Sequence, residues 1–497
     1  MYKRIISLLL VFSFVVLGTL GRIGYISLSK NYTVDKSYNS ILLNVDNLYC
    51  NYYYSNLTKI NNNKKSFVAV IKPNDDCIKE LKYIFNDLEI QEILSELKTS
   101  KPIIKPTKEY KKLDYIKIYE IYSTENNCNQ LINKNSKGLL YYQPNKIGSL
   151  NIKYNVDAKG RILYGDDGTI ENDNYNSLSG YKLSIDNNIQ NITYNACENI
   201  DNGCAIVLDI NSFDILSMVT KPNKSCLNKA FMYYNPGSVF KILVAMCAIE
   251  NGIDLEYNCS GSITIGDTTF NCQNEKAHGN QTLKEALANS CNCYFINLAL
   301  ELGYERLLAT ANKLGFNDST VIFNDWILNN SKLPTQNDLK SKGELSLFGF
   351  GQGKVMVTPL QMANCISIIA NGGYKAPVTV VKSRVDDNGK EYNYPRKEFT
   401  KVFKEDDCKK MIDYLSYVVS NGTGKKAQSV DLKSAGKTAT AQTGQYSNEK
   451  ELLNTWFVGL YPNDEPKYAI AIMKENGVSG SADCCPIFST IVENLPK

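Results

Sequence analysis

The most constraining feature of this sequence is an apolar run close to its first residue. A lysine and an arginine precede sixteen apolar or small residues from Ile5 to Leu20, and a weaker apolar stretch continues to Leu28. As a helix, the run spans about 24 Å, and its extension to Leu28 covers the roughly 30 Å hydrocarbon core of a bilayer. Residues 1–29 are therefore predicted to form one transmembrane anchor.

A cleaved signal peptide is the alternative interpretation of this run, although no Ala-x-Ala cleavage site follows it. Because positive charge at the start keeps the N-terminus in the cytoplasm, an uncleaved anchor places residues 30–497 outside. The prediction is a single-pass plasma membrane protein with the bulk of the chain extracytoplasmic. A net charge of only +4 argues against a nucleic-acid partner.

The 15 cysteines conflict with an external location, because an odd number of thiols would lie where disulfides normally form. Two explanations remain open at this point. Either the protein works where thiols stay reduced, or a metal occupies some of the sulfurs.

After the anchor, the chain divides into two regions with different sequence patterns. Residues 30–182 contain short alternating runs around one helical stretch, which predicts a small α+β module. Residues 183–497 begin and end with strand pairs, "CAIVLDINSFDILSMVT" and "TWFVGLYP" with "KYAIAIMKE", and carry helices between them. This order predicts an α+β domain with an antiparallel sheet.

A serine and a lysine stand three positions apart at the start of the most apolar helical segment. "PGSVFKILVAMCAIENG" (236–252) opens with Pro-Gly, is apolar on every side, and contains Ser238 and Lys241. Positions i and i+3 share a helix face, and a lysine in a dry pocket can accept a serine proton. The S-x-x-K spacing also occurs by chance, as at Ser179–Lys182 and Ser447–Lys450, but only Ser238 follows Pro-Gly at the start of a buried helix.

Two further motifs follow in order. Ser290-Cys291-Asn292 comes 52 residues after Ser238, and Lys437-Thr438 comes 147 residues later. S-x-x-K, S-x-N and K-T-G in this order are the signature of penicillin-binding proteins and serine β-lactamases. The stretches "NKAFMYYNPGSVFKI", "HGNQTLKEALANSCNCYF", "FGFGQGKVMVTPLQMANCISIIANGG" and "NTWFVGLYP" resemble the class B penicillin-binding transpeptidases. The likeness runs from about residue 183 to 495, and both zinc-containing elongation-type and sporulation-type members remain open.

This resemblance implies a fold and an acyl-transfer reaction. The fold would be that of the transpeptidases and serine β-lactamases, an antiparallel sheet with helices on both sides. Ser238 would attack the D-Ala-D-Ala carbonyl of a peptidoglycan stem peptide, with Lys241 as the general base. Ser290 would relay a proton to the leaving amine, and Asn292 would hold the amide of the acyl side chain.

The resemblance also implies how the substrate's terminal carboxylate and the oxyanion are held. Lys437 and Thr438 would meet the carboxylate, and the backbone N–H groups of Ser238 and Thr440 would form the oxyanion hole. One departure concerns the third motif, where Ala439 replaces the family's glycine. Its methyl group could narrow the cleft, which puts substrate fit and penicillin sensitivity in doubt.

Three cysteines and the only histidine of the chain stand near the S-x-N motif. Cys259 and Cys272 are thirteen residues apart, His278 follows by six, and Cys291 follows by thirteen. Cys3His is a common set of structural zinc ligands. The resemblance adds that some elongation-type relatives hold zinc through Asp, Asp, His and Cys at a similar spacing. We predict a structural Zn²⁺ here, with Asp267 as the reserve fourth ligand. A Cys272–Cys291 disulfide and free thiols are the alternatives.

The sequence therefore predicts a membrane-anchored D,D-transpeptidase that cross-links stem peptides and is acylated by β-lactams. Family resemblance implies a membrane glycosyltransferase partner. A membrane-anchored β-lactamase or β-lactam sensor would share the three motifs, and a non-catalytic scaffold of a wall-synthesis complex would fit Ala439 as a sign of decay. The long N-terminal module and the "GQG…TPLQ" stretch favour the transpeptidase.

Overall fold

The computed structural model describes residues 2–28, 39–61, 65–99, 101–122, 128, 146–222, 227–323, 326–429 and 433–496. Helix α1 (Tyr2–Leu28) contains the apolar run, and its side chains from residue 6 to 23 are exposed. Within the described residues, Ile6–Tyr25 is the one helical span long and apolar enough to cross a membrane. The predicted anchor segment is therefore helical.

The region after α1 is a small α+β module, as predicted. Its strands are β1 (Ser40–Tyr49), β2 (Asn51–Tyr53), β3 (Lys65–Ile71), β4 (Ile103–Thr107), β5 (Lys117–Tyr122), β6 (Lys146–Asn155), β7 (Thr169–Asp173) and β8 (Gly180–Leu183). Its helices are α2 (Asp75–Glu80) and α3 (Asp87–Leu97), with a 3₁₀ turn at Leu81–Tyr83. Strand β3 separates two small cores: Val68 and Val70 face the sheet β1-β6-β7, whereas Ala69 and Ile71 face α2 and α3. This alternation follows from the two-residue period of a strand.

The other helices among the described residues belong to the C-terminal part of the chain. They are α4 (Asn187–Ala196), α5 (Lys241–Glu250), α6 (Leu283–Asn289), α7 (Asn292–Lys313), α8 (Gln336–Leu339), α9 (Lys342–Gly349), α10 (Pro359–Ala370), α11 (Glu405–Asn421), α12 (Gly480–Asp483) and α13 (Cys485–Asn494). Short 3₁₀ turns occur at Lys229–Phe231, Gly237–Phe240, Gln273–Glu275 and Lys425–Ala427.

A five-stranded antiparallel sheet forms the centre of this domain, in the order β10-β9-β25-β24-β23. Its members are β9 (Gly203–Asp209), β10 (Ile215–Lys221), β23 (Ala435–Ser447), β24 (Lys450–Tyr461) and β25 (Tyr468–Lys474). The two strand pairs expected from the sequence are thus confirmed. Because β23 stands at one end of the order, one of its edges is open for other contacts.

Short strands complete the domain. They are β11 (Tyr257–Cys259), β12 (Ser262–Ile265), β13 (Thr268–Asn271), β14 (Gly279–Gln281), β15 (Ser319–Phe323), β16 (Trp326–Asn329), β17 (Ser331–Lys332), β18 (Met356–Val357), β19 (Tyr374–Lys375), β20 (Val381–Val385), β21 (Glu391–Asn393) and β22 (Thr400–Lys401). Strands β11 and β14 pair with each other, as do β12 and β13. These two hairpins bring residues 257–281 beside the S-x-N motif.

Helices cover both faces of the central sheet. Ile206 and Leu208 face the main core with α5 and α10, whereas Ala205 and Val207 face a second core with α4 and α13. Strands buried on both faces lack the usual apolar–polar alternation, which is why β9 and β25 are continuously apolar. The predicted α+β architecture, an antiparallel sheet with helices on both sides, is confirmed.

A mixed sheet in the order β2-β8-β20-β21 joins the N-terminal module to this domain. Asn51–Tyr53 pairs in parallel with Gly180–Lys182, and β8 pairs antiparallel with β20. The predicted boundary between residues 182 and 183 falls inside β8. It stays a prediction, because this shared sheet links both sides.

Side-chain caps fix the starts of two helices. Thr282 and Glu285 form a capping box at α6, and Thr358 caps α10 by accepting from the backbone N–H of Gln361. Gln361 makes no return bond, because the backbone N–H of Thr358 donates to the carbonyl oxygen of Asn330 at 3.1 Å. The Nε2 of Gln361 donates instead to the carbonyl oxygen of Leu314, 2.7 Å away.

Candidate active site

Ser238 lies in a 3₁₀ turn, Gly237–Phe240, that continues directly into the buried helix α5. Gly237 has a φ of +54°, and its N–H donates to the carbonyl oxygen of Gly351 at 2.9 Å. A Cβ at Gly237 would lie 3.0 Å from the Cβ of Ala441 on the edge strand β23. The Pro-Gly signal therefore has a local reason: glycine lets the turn press against β23 and places the serine beside it.

Lys241 is fully buried and surrounded by oxygen atoms. Its Nζ lies 3.0 Å from Ser238 Oγ, 2.8 Å from the carbonyl oxygen of Ser290, 3.4 Å from Ser290 Oγ and 2.7 Å from Asn292 Oδ1. Burial lowers the pKa of this amine from 10.5 to about 8, and nearby thiols partly oppose that shift. A substantial fraction of the amine is therefore neutral near physiological pH, as a general base requires.

Ser290 and Asn292 occupy the junction between α6 and α7. Ser290 is the C-cap of α6 with a φ of +55°, a left-handed conformation that turns the chain sharply. Cys291 then caps α7, its sulfur accepting from the N–H of Tyr294 at 3.4 Å. Asn292 is held from both sides, because its Nδ2 donates to the carbonyl oxygen of Asn271 while its Oδ1 accepts from Lys241.

Lys437 reaches the same place from the edge strand. It is fully buried, and its Nζ donates to Ser290 Oγ and to the carbonyl oxygen of Thr438, both at 3.0 Å. Its pKa lies well below the usual lysine value because of burial first and the nearby Lys241 second. Ser290 Oγ thus stands between two amines, which makes it a suitable proton relay. We call Ser238, Lys241, Ser290 and Lys437 the catalytic cluster.

The next residues of β23 alternate between its two faces. Thr438 is 5% exposed and shares a 2.6 Å hydrogen bond with the hydroxyl of Thr423. Ala439 lies in the main core, 3% exposed. Thr440 Oγ1 accepts a 3.4 Å hydrogen bond from the N–H of Gly480. Because a Cβ at Gly237 would lie 3.2 Å from Ala441 Cα, β23 next to Thr440 runs beside the Ser238 turn. The oxyanion role of the Thr440 N–H stays a prediction.

The four predicted metal ligands also come together. Cys259, Cys272, His278 and Cys291, here called the sulfur cluster, place one ligand atom each within 4.8 Å of all the others. The Sγ of Cys272 lies 3.7 Å from those of both Cys259 and Cys291, and His278 Nδ1 lies 3.6 Å from Cys259 Sγ. Strand β11 supplies Cys259, the turn after β13 supplies Cys272, the residue before β14 is His278, and the S-x-N junction supplies Cys291.

Two alternatives for the sulfur cluster do not hold. A Cys272–Cys291 disulfide is wrong here, because 3.7 Å far exceeds the S–S bond length of about 2.05 Å and both thiols are free. Asp267 as the reserve ligand is also wrong, since it lies exposed in the turn between β12 and β13 and outside the group of four. The short hairpin directs its tip to solvent.

Several neighbours of these clusters are visible only in the structure. Cys293 lies buried in the main core with its Sγ 3.5 Å from Cys272 Sγ. Contacts with the thiols of Cys291 first and Cys293 second hold the pKa of Cys272 well below the usual thiol value. Gln281 and Thr423 were missed by the sequence analysis. Cys293 could have been found from its position two residues after Cys291, whereas the other two contacts depend on packing.

Comparisons with known proteins agree with this geometry. The family model for the penicillin-binding protein transpeptidase domain matches residues 203–493. Stage V sporulation protein D of Bacillus subtilis is 27% identical over 415 residues, 73% of this chain and 61% of that protein. Peptidoglycan D,D-transpeptidase MrdA of Acinetobacter baumannii is 28% identical over 301 residues, 56% of this chain and 44% of that protein. The chain thus spans about three fifths or less of the length of these relatives.

Solved structures share the fold. The D,D-transpeptidase domain of a peptidoglycan glycosyltransferase from Eggerthella lenta superposes with a TM-score of 0.59 and 24% identity, over 71% of this chain and 96% of that one. Penicillin-binding protein 3 of Mycobacterium tuberculosis gives a TM-score of 0.62 with 20% identity, over 91% of this chain and 96% of that one. Because the family model covers more than half of the chain, this protein belongs to the penicillin-binding protein transpeptidase family, as its three motifs predicted.

Proposed function

We propose that this protein is a peptidoglycan D,D-transpeptidase that works through an acyl-enzyme on Ser238 and is acylated by β-lactams. The observation that carries the proposal is the 3.0 Å contact between Ser238 Oγ and the fully buried Lys241 amine, whose pKa is lowered to about 8. Relatives named peptidoglycan D,D-transpeptidases support the same reaction.

Acylation starts at the serine hydroxyl. Neutral Lys241 takes the Ser238 proton as Oγ attacks the carbonyl carbon of the penultimate D-Ala, and the oxyanion accepts hydrogen bonds from the Ser238 and Thr440 N–H groups. Collapse of this intermediate breaks the peptide bond. The departing D-Ala nitrogen receives a proton through Ser290, which touches both amines of the catalytic cluster. The product is an ester on Ser238 and a free D-Ala.

Transfer runs these steps in reverse with a different amine. The amino group of a second stem peptide attacks the ester carbonyl and gives up a proton through the same lysine and serine. The Ser238 oxygen leaves and recovers its proton, and a new peptide bond cross-links the two strands. Asn292, fixed by Asn271 and Lys241, would hold the acyl side-chain amide in place during both halves.

The substrate's terminal carboxylate explains the third motif. Lys437 and the hydroxyl of Thr438 lie on β23 beside Ser290. The Lys437 amine and the Thr438 hydroxyl are both hydrogen-bond donors, and hydrogen bonds to an ionised acceptor such as a carboxylate are about twice as strong as neutral ones. The same pair would bind the carboxylate of a β-lactam.

Reaction of the purified extracytoplasmic part with benzylpenicillin tests the proposal. We expect one adduct per chain that persists for hours, measured by intact mass spectrometry. Sustained hydrolysis of the penicillin would instead indicate a β-lactamase. Absence of any adduct would favour the non-catalytic scaffold. Full complementation of a deletion strain by the Ser238→Ala gene would establish that outcome.

We further propose that α1 anchors the protein in the plasma membrane as a single span, with the remaining chain outside. The support is the length of α1, its exposed apolar surface and the two basic residues at its start, before the apolar run. A membrane glycosyltransferase would be the partner that supplies the polymerised strands. Protease protection in spheroplasts tests the orientation, because only an exterior domain is degraded when protease is added outside.

The sulfur cluster fits a structural Zn²⁺, and we propose that it holds one. Zinc–sulfur bonds of about 2.3 Å in a tetrahedron give sulfur–sulfur edges of about 3.8 Å, close to the observed 3.7 Å. Cys259, Cys272, His278 and Cys291 would be the ligands. When bound, the ion would supply a rigid tetrahedral crosslink rather than a reactive centre, because four protein ligands leave no open position.

A buried amide beside the cluster supports this assignment. Gln281 is 4% exposed, its Oε1 accepts from Asn289, and its Nε2 has no hydrogen-bond partner among the described residues. The Gln281 side chain lies beside Cys291 and opposes the rise in the pKa of that thiol. An N–H donor next to the sulfur is what a metal-bound thiolate needs as an outer partner. Fixing Cys291 would in turn fix Ser290 and Asn292 on either side of it.

A further inference from the structure

The loop between α11 and β23 contacts both the helix that ends at the S-x-N motif and the strand that carries Lys437 and Thr438. The N–H of Thr423 donates to the carbonyl oxygen of Ala288, two residues before Ser290, at 3.1 Å. A Cβ on the preceding Gly422 would lie 2.4 Å from that same oxygen, so the loop fits closely against the end of α6 only because glycine stands there. The backbone at Thr423 is therefore fixed to the helix that carries the S-x-N motif.

The side chain of Thr423 reaches the other motif. Its Oγ1 lies 2.6 Å from Oγ1 of Thr438, which is itself 5% exposed on β23. Thr423 thus connects the end of α6 with the carboxylate-binding strand. This contact spans fifteen residues of chain, part of which lies outside the described residues.

Only one direction of this hydrogen bond is compatible with carboxylate binding. A hydroxyl has one proton to donate and two lone pairs that accept. If Thr438 donated to Thr423, it would have no proton left for a substrate anion. If Thr423 donates, the Thr438 proton is free to point into the cleft, and donation to its oxygen strengthens that proton as a donor.

We propose that Thr423 is a positioning residue that donates its hydroxyl proton to Thr438 and thereby makes Thr438 a donor for the terminal carboxylate of the substrate. This role deepens the proposed transpeptidase function and rests on it. It predicts a selective effect: loss of the Thr423 hydroxyl weakens recognition of ligands that carry the carboxylate and leaves other ligands unaffected.

Acylation rates with a paired set of ligands test the proposal. Thr423→Val keeps the shape but removes the hydroxyl, and Thr423→Ser restores it. Benzylpenicillin carries the carboxylate, and its methyl ester does not. We expect Thr423→Val to acylate about tenfold more slowly with benzylpenicillin and within twofold of wild type with the ester, whereas Thr423→Ser behaves as wild type with both. Thr443→Val, further along β23, is the matched control and should leave both rates unchanged.

With a folded variant, each other outcome overturns the proposal. An equal fall with both ligands would mean that Thr423 only supports the fold, and no change with either would mean that Thr438 needs no orienting partner. If the valine variant does not fold by circular dichroism, Thr423→Ala replaces it in the same comparison. If neither ligand acylates wild-type protein, the proposed function itself fails, and the role of Thr423 falls with it. If wild-type protein is acylated but Thr423→Val does not distinguish benzylpenicillin from its ester, only the positioning role is rejected.

Discussion

The catalytic cluster and the sulfur cluster meet at residues 290–292, yet they differ in what completes them. In the catalytic cluster each buried amine faces oxygen atoms, so its hydrogen bonds are satisfied by the protein itself. In the sulfur cluster four ligand atoms face one another. Thiolates this close would repel each other unless a cation stood between them. The first cluster is therefore complete as a hydrogen-bonded unit, whereas under the proposed zinc assignment the second would be completed by a metal ion.

The largest expected effect tests the self-sufficiency of the catalytic cluster. Lys241→Met keeps a long apolar chain in the pocket but removes the base, so the rate of acylation by benzylpenicillin should fall by about 10²–10⁴-fold. Stopped-flow or gel-based labelling measures this rate. Lys450→Met, in the exposed chance match at Ser447–Lys450, is the control and should leave the rate unchanged. A loss of less than tenfold in Lys241→Met would show that another group takes the proton.

The pH dependence of acylation sharpens the same half of the comparison. Only neutral Lys241 can accept the serine proton, and burial lowers its pKa to about 8. The acylation rate should therefore rise about tenfold per pH unit below pH 8 and level off above it. Measurement between pH 6 and 9.5 checks this profile. A rate that is flat from pH 6 to 8, or that keeps rising to pH 10, would contradict a base with this pKa.

Removal of a proposed metal ligand tests the zinc assignment of the sulfur cluster. At a free ion concentration a hundred times the Kd, binding would stabilise the fold by about 2.7 kcal/mol. Cys272→Ser should therefore lose the ion and unfold several degrees lower, as measured by native mass spectrometry and calorimetry. Asp267→Asn, at the rejected reserve position, is the matched control and should retain both metal and melting temperature. Equal metal content in Cys272→Ser and wild type would contradict the assignment.

The smallest expected effect concerns Ala439. Its methyl group lies in the main core, on the face of β23 that also carries Lys437, and is 3% exposed. Ala439→Gly should reduce stability by about 0.5–1 kcal/mol, because glycine costs more backbone entropy in a strand. The acylation rate should stay within threefold of wild type. A tenfold faster reaction would show that the methyl group does narrow the cleft.

The sequence was informative where function depends on a short stretch of chain. The start of α5 at Pro-Gly, the S-x-x-K spacing and the capping box at Thr282 depend on interactions within one or two turns, and each is visible in the residue order. The order of the three motifs and the cysteine–histidine spacing, interpreted through family resemblance, extended the prediction to site residues that are far apart in the chain. These features predicted the fold of the C-terminal domain and both clusters.

Contacts that depend on packing could not be predicted in this way. Thr423 meets Thr438 because a loop folds back between a helix and a strand, and the Thr358 N–H donates to Asn330 rather than to the Gln361 side chain because that carbonyl lies nearby. The N-terminal module shows the same limit at a larger scale. Its small cores form between short strands that are distant in the chain, and no sequence motif predicts which of these strands pair.

Peptide mapping after treatment with benzylpenicillin tests the central claim most directly, namely that a buried amine activates the hydroxyl of Ser238. The account predicts a single adduct on the peptide that contains Ser238, none in Ser238→Ala, and full labelling in Ser447→Ala. An adduct on any other residue, or labelling of Ser238→Ala at the wild-type rate, would contradict it.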